Sequence, residues 1–201
     1  SGAVLLDSGA NVECRAQHLL QFAAMGTAYT RVVLGVSEPR VGLLSIGEEE
    51  TKGNELIRDA HNLLRSSRLR FIGNIEARDL YRGQAEVIIC DGFTGNVALK
   101  VSEGLVEFVE EFLRDELKRT FRTRVGYLLS RRAFRRFRRR FDYSEVGGVP
   151  LLGLSGLCIV GHGRSSVKAV RNAVAMAHRF TTEEMLPRVA RTLSVVTATD
   201  G

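Results

Sequence analysis

Three times along this chain a short apolar run gives way to a glycine-rich polar turn and then to a helix-like segment. The central instance is Val41-Gly42-Leu43-Leu44-Ser45-Ile46, then Gly47-Glu48-Glu49-Glu50-Thr51-Lys52-Gly53-Asn54-Glu55, then Leu56 to Leu64. The second runs Glu86-Val87-Ile88-Ile89-Cys90, Asp91-Gly92-Phe93-Thr94-Gly95-Asn96, then Val97 onward. The third runs Leu157 to Val160, then Gly161-His162-Gly163-Arg164-Ser165-Ser166, then a further helix. Strands alternating with helices predict an α/β fold built on a doubly wound, mostly parallel sheet. In such sheets ligands bind at the carboxyl edge, where helix-opening N–H groups favour anions. One such turn is ordinary and reads as a solvated loop. Three turns on one edge predict a polar crevice with Lys52, Asn96, His162 and Arg164 near it. None of the turns is a Walker A loop or a complete G-x-G-x-x-G fingerprint.

The remaining elements follow from periodicity. Residues 3–7 read as a strand that ends in Asp7-Ser8-Gly9-Ala10-Asn11, with Asn11 in reach of the crevice. A helix is expected from 15 to 34, carrying Leu19, Leu20, Phe22, Ala23, Met25 and Val33 inward, with Gly26 as a bend or a point of close packing. Arg70 to Gly73 reads as a short strand, and 74–79 as a loop or short helix. A long helix over 97–121 bears Val101, Leu105, Val109, Phe112, Leu113 and Leu117 as one apolar stripe. Toward the end, helix 165–180 is expected to turn Val167, Val170, Val174 and Ala177 inward, before a last helix to about Val196. The chain is thus read as one α/β domain over 1–201. Because it opens inside a core strand, it reads as the carboxyl-terminal part of a larger enzyme.

Charge is unevenly spread. The net charge is +6, from 29 basic and 23 acidic residues. Twelve of the basic residues fall between Arg114 and Arg140, opposed there by Asp115 and Glu116, which leaves 17 basic against 21 acidic residues elsewhere. Phe134, Phe137 and Phe141 are spaced i, i+3, i+7 among arginines that include Arg131, Arg132, Arg135 and Arg138. With a turn near Thr123 to Gly126, residues 105–141 form a basic amphipathic helical hairpin projecting from the sheet domain. Such a helix suits an anionic membrane surface, an acidic protein or a nucleic acid. The simpler account is that the phenylalanines pack on the partner helix. That account leaves the mutual repulsion of the arginines unexplained.

Several blocks together resemble the bacterial phosphate acyltransferase (PlsX) family. They are Leu5 to Asn11, Gly47 to Glu55, Phe71-Ile72-Gly73-Asn74-Ile75-Glu76-Ala77-Arg78-Asp79, Asp91 to Val97, Phe141-Asp142-Tyr143 with Gly147-Gly148, and Gly161 to Ser165. The similarity runs in order through nearly the whole chain. It implies a Rossmann-like α/β/α fold of the isopropylmalate dehydrogenase type. It also implies roughly a hundred or more residues in front of this chain, with a first strand and its own glycine-rich turn. The implied reaction is attack of inorganic phosphate on the thioester of a long-chain fatty acyl group on acyl carrier protein, giving acyl phosphate for phospholipid synthesis. By the same resemblance Lys52 holds phosphate and offsets developing charge, and Asn96 donates to phosphate or to the thioester oxygen. Asn54, Thr94 and the backbone at Gly53 and Gly95 complete the cradle, with Asn11 and His162 as further candidates. Asp7, Asp91 and Glu55 orient the turns or cap helices. His18, His61 and His178 fall on presumed helix surfaces. The reaction asks for positioning and electrostatic stabilisation and no cofactor or metal.

The implied partners are acyl carrier protein, inorganic phosphate, an anionic membrane and a second copy of the chain, not nucleic acid. The arginine tract, with Phe134 and Phe137, would dock the carrier protein or the membrane. Cys14, Cys90 and Cys158 lack metal spacing; Cys90 and Cys158 lie in apolar strands and read as buried free thiols, in keeping with a reducing cytosol. No apolar run approaches the ~20 residues that span a bilayer, and no signal peptide is evident. The expected location is therefore cytoplasmic and peripheral to the membrane. Competing readings are a short-chain phosphate acyltransferase, a nucleotide-linked dehydrogenase, and a non-catalytic module for dimerisation and docking. The incomplete dinucleotide fingerprint counts against the dehydrogenase, and the amphipathic hairpin against the short-chain enzyme.

Overall fold

The computed structural model describes residues 2–141, 147–161, 163 and 165–197. They fall into two compact units, one from the described parts of 1–99, 152–156 and 180–201, the other from 100–151 and 157–179.

The first unit holds a parallel four-stranded sheet of β1 (Val4–Leu6), β2 (Val41–Ser45), β3 (Phe71–Glu76) and β4 (Val87–Ile89), in the order β1-β4-β2-β3. The fold class is the Rossmann-like, doubly wound α/β expected from the sequence. Helix α1 (Ala16–Val33) carries the chain from β1 past one strand position to β2. Helix α2 (Glu55–Ser66) carries it on to β3, and a 3-10 turn at Ala77–Tyr81 returns it to β4, between β1 and β2. Strands buried on both faces are near-continuous apolar runs, and β4 is one: Val87, Ile88 and Ile89 are all at most 1% exposed. Helix α1 packs on β1, β4, α2 and α6 (Met185–Thr197). Its Gly26 allows the close approach, since a Cβ there would lie 2.6 Å from Val87 Cγ1. Tyr29 of α1 meets Phe180 edge to face at 5.8 Å.

Two elements differ from the sequence reading. The strand expected to stop at Gly73 runs on to Glu76, because Asn74, Ile75 and Glu76 pair in register with Leu43, Leu44 and Ser45. Helix α3 (Gly92–Lys118) begins inside the supposed turn, so Phe93, Thr94, Gly95 and Asn96 are helical. Asp91 sets that start: its carboxylate accepts from Thr94 N at 2.8 Å and Thr94 Oγ1 at 2.7 Å.

The second unit takes in α3 from residue 100 onward, α4 (Phe121–Phe141), and an antiparallel pair of β5 (Val149–Pro150) with β6 (Ile159–Val160). The apolar run at 157–160 is thus not a strand of the parallel sheet. It pairs with β5, and Leu151 N donates to Cys158 O at 2.9 Å. The α3–α4 break falls at 119–120 rather than at 123–126, because Thr120 and Thr123 exchange backbone-to-hydroxyl hydrogen bonds at 3.1 and 3.2 Å and start α4 there. On α5 (Val167–Thr182) the alanine face is inward, not the valine face. Gly147 lies so close to it that a Cβ there would meet Ala169 O and Ala173 N, while Val167, Val170 and Val174 are exposed. The apolar positions Val101, Leu105, Phe112 and Leu113 of α3 are also exposed. Among the described residues no helix is long and apolar enough to cross a membrane.

Candidate functional site

In a parallel sheet every strand ends on the same edge. The neighbouring strands β1, β4 and β2 each end in a polar segment: the turn Asp7 to Asn11, Asp91 with the first turn of α3 to Asn96, and the turn Gly47 to Asn54. The turn after β1, with Asn11, thus lies on the same edge as those of Lys52 and Asn96.

The turn after β1 folds around the buried carboxylate of Asp7. Its Oδ1 accepts from Gly9 N at 2.8 Å and Ala10 N at 2.9 Å, and its Oδ2 from Asn11 N at 2.7 Å and Asn11 Nδ2 at 2.9 Å. Burial pushes this carboxyl up, but the donors from Ala10, Asn11 and Gly9 outweigh it and hold Asp7 below its ordinary value. The turn is tied to the next one through Gly92 N, which donates to Asn11 O at 2.8 Å. A Cβ at Gly95 would run into the Asp7 carbonyl, so only glycine allows α3 to start this close to β1. The exposed Asn96 amide lies against Gly9, at 3.4 Å from where a Cβ would stand. The structure therefore brings Asn11, Gly95 and Asn96 together. The Cys90 thiol donates to Asp7 O at 3.4 Å, and burial pushes it up to about 12, so it stays protonated and inert at neutral pH. Cys158 is only half-buried, unlike the expectation for it.

The turn after β2 carries Lys52. Its backbone N–H donates to Glu49 O at 3.0 Å, and its side chain is exposed. Gly53 adopts φ +99°, a region closed to most side chains, and brings the chain into α2. Asn54 caps that helix, accepting from Ile57 N at 3.0 Å. The Glu49 carbonyl also accepts from Asn74 Nδ2 at 2.9 Å, and Asn74 Oδ1 meets His61 Nδ1 at 3.0 Å. With Nδ2 on a carbonyl, Oδ1 must be an acceptor, so His61 donates from Nδ1. Asn74 and His61 are 5% and 3% exposed, which corrects the surface placement of His61. This buried pair fastens the Lys52 turn to β3. Sequence reasoning missed it; an asparagine inside a strand, between Gly73 and Ile75, was the available signal.

Thr94 has both its N–H and its hydroxyl on Asp91, so it builds the turn. The amino termini of α2 and α3 and the exposed Lys52 are on this edge, together with the carboxylates of the turns. No group of three or more potential metal ligands occurs among the described residues. His162 lies outside the described residues. On α4, Arg131 and Arg132 are exposed and Phe134 is half-buried against Tyr127, with ring centroids 5.3 Å apart. Arg135, Phe137 and Arg138 also fall on α4, with side chains outside the described set.

Comparison with known proteins matches residues 1–188 to the family model described as fatty acid synthesis protein. Three relatives are named phosphate acyltransferase. The protein of Acidobacterium capsulatum is 56% identical over 179 residues, 89% of this chain and 53% of the relative. That of Geotalea uraniireducens is 49% identical over 190 residues, 94% and 55% respectively. That of Syntrophotalea carbinolica is 49% identical over 195 residues, 97% and 56% respectively. The chain spans about half the length of these curated relatives.

Proposed function

As the chain belongs to the fatty acid synthesis protein family, we propose that it is the site-bearing part of a phosphate acyltransferase. The enzyme moves a long-chain fatty acyl group from acyl carrier protein to inorganic phosphate, and the acyl phosphate serves phospholipid synthesis. The observation that carries this reading is the row of three polar segments at the ends of the adjacent strands β1, β4 and β2, with Lys52, Asn96 and two helix amino termini on one edge.

Phosphate is a nucleophile at neutral pH, so the site needs only to hold it, aim it and stabilise the oxyanion. One phosphate oxygen attacks the thioester carbonyl carbon. A C–O bond forms, the C–S bond breaks, and the carrier thiolate leaves with the electron pair and takes a proton. Lys52 is the catalytic cation on phosphate, and Asn96 the catalytic donor to phosphate or to the carbonyl oxygen. Gly53, Asn54, Gly95 and Asn11 form the cradle, and Thr94 holds its shape. His162 is assigned to phosphate by its motif.

The hairpin 105–141 is assigned to docking. Its Phe108, Phe112, Phe121, Leu128 and Leu129 are exposed, as are Arg131 and Arg132. This combination suits an anionic membrane surface and an acidic carrier protein, and supports a cytoplasmic enzyme that works at the membrane periphery. The same exposed apolar surface suits a homodimer.

The test is release of free carrier thiol from palmitoyl acyl carrier protein, with and without phosphate, for this chain and for its Lys52→Ala and Asn96→Ala variants. Phosphate-dependent release that drops by about a hundredfold or more in each variant is expected. Release that ignores phosphate overturns the reading.

A further inference from the structure

The Lys52 ammonium stands at the end of a flexible four-carbon stem, so its reach is decided at the backbone that carries it. That backbone is held from behind. The Glu49 carbonyl accepts from Lys52 N at 3.0 Å and from Asn74 Nδ2 at 2.9 Å, one donor for each lone pair. Asn74 Oδ1 accepts in turn from His61 Nδ1 at 3.0 Å, and the His61 ring packs edge to face on Phe71 with centroids 5.1 Å apart. The other ring nitrogen, Nε2, faces the Glu50 carboxylate of the same turn at 3.8 Å. One chain of hydrogen bonds therefore runs from the exposed lysine into the interior. The first part of the stem is set as well: it lies across Gly47, where a Cβ would stand 2.9 Å from Lys52 Cγ.

Holding α2 in place does not require this polar pair. The other buried residues of α2 are Ile57, Ala60 and Leu64, all apolar. A buried polar side chain costs stability unless its hydrogen bonds are made. What Asn74 and His61 add is a fixed donor to a carbonyl of the turn. The turn's exposed contacts are weaker anchors. Arg65 bonds the Glu50 carboxylate at 2.9 Å and Arg58 the Gly53 carbonyl at 2.7 Å, but both guanidinium groups stand in water, where such contacts contribute little.

We propose that Asn74 and His61 are positioning residues for phosphate: by holding the Glu49 carbonyl they set the place from which Lys52 meets the anion. Neither touches phosphate; both act through the Lys52 turn. The inference rests on the assignment of phosphate to Lys52.

The test is a phosphate titration of the 201-residue chain and its variants, followed in ¹⁵N–¹H correlation spectra, with circular dichroism confirming that each variant is folded. His61→Phe keeps an aromatic ring but has no N–H, and His61→Asn returns an N–H near the place of Nδ1. Asn74→Ala and His61→Phe should each weaken phosphate about tenfold, and His61→Asn should recover part of the loss. Ile75→Val, a buried substitution on the same strand, should lower stability and leave phosphate affinity unchanged. Asn74→Ala/Lys52→Ala should bind no more weakly than Lys52→Ala alone, because the pair acts through the lysine. Unchanged affinity in Asn74→Ala and His61→Phe, beside a loss in Lys52→Ala, overturns the inference and leaves the acyltransferase reading standing. Losses that add to that of Lys52→Ala also overturn it, as does an equal loss in Ile75→Val, which would mark general destabilisation. Phosphate binding that ignores Lys52→Ala overturns the cradle and this inference together.

Discussion

Asp7 shapes the first turn of the crevice with one buried carboxylate that accepts four hydrogen bonds. Its pKa is held below the ordinary carboxylate value of about 4. The folded state therefore takes up a proton less readily than the unfolded one. The stabilisation is complete above the ordinary value and is lost as pH falls through the lower folded one. Glu86 behaves in the same way, held down by hydrogen bonds from the Arg40 side chain. Asp7→Asn is expected to lose about 2 kcal/mol at neutral pH, because an amide cannot replace a charged acceptor of four N–H groups. Urea denaturation checks this, and the gap from the parent chain should narrow below about pH 4. At this scale the sequence was informative about Asp7, which it read as orienting its glycine-rich turn. It misplaced His61 on the surface and missed its pairing with Asn74, because a histidine on a helix and an asparagine in a strand reveal their pairing only when β3 is laid beside α2.

Element boundaries were legible where apolar periodicity carried them and not where side-chain capping did. Helices α1, α2 and α6 stand close to their expected ranges because their apolar positions recur at helical spacing. The start of α3 was misplaced by several residues. Two glycines in its first turn imitate a loop, whereas they are there so that α3 can lie against Asn11 and Asp7. The α3–α4 break was misplaced for the converse reason: Gly126 looks like a turn residue but sits inside α4, and the Thr120–Thr123 cap sets the true start. Thr120→Ala is expected to cost about 1 kcal/mol locally. Hydrogen exchange should then quicken in the first turn of α4 and stay unchanged in the parallel sheet. Loss of protection in the sheet instead would contradict a purely local cap.

Over the whole chain, alternation of strands and helices was enough to give the fold class, because parallel strands must be joined by crossovers. The sheet order was not legible. A two-residue apolar strand in an antiparallel ribbon, β6, looks the same in sequence as an inner strand of a parallel sheet. The correction matters for function. It puts the turn after β1 on the same sheet edge as the turns of Lys52 and Asn96, and removes β6 from that sheet. The account thus depends on three turns acting as one anion cradle. The most direct check is a phosphate titration of the chain followed by ¹⁵N–¹H correlation spectra at neutral pH. The account predicts saturable shifts at the backbone N–H groups of residues 9–11, 52–55 and 92–96, weakened together by Lys52→Ala. Shifts absent from all three turns, or confined to the arginines of α4, would contradict it.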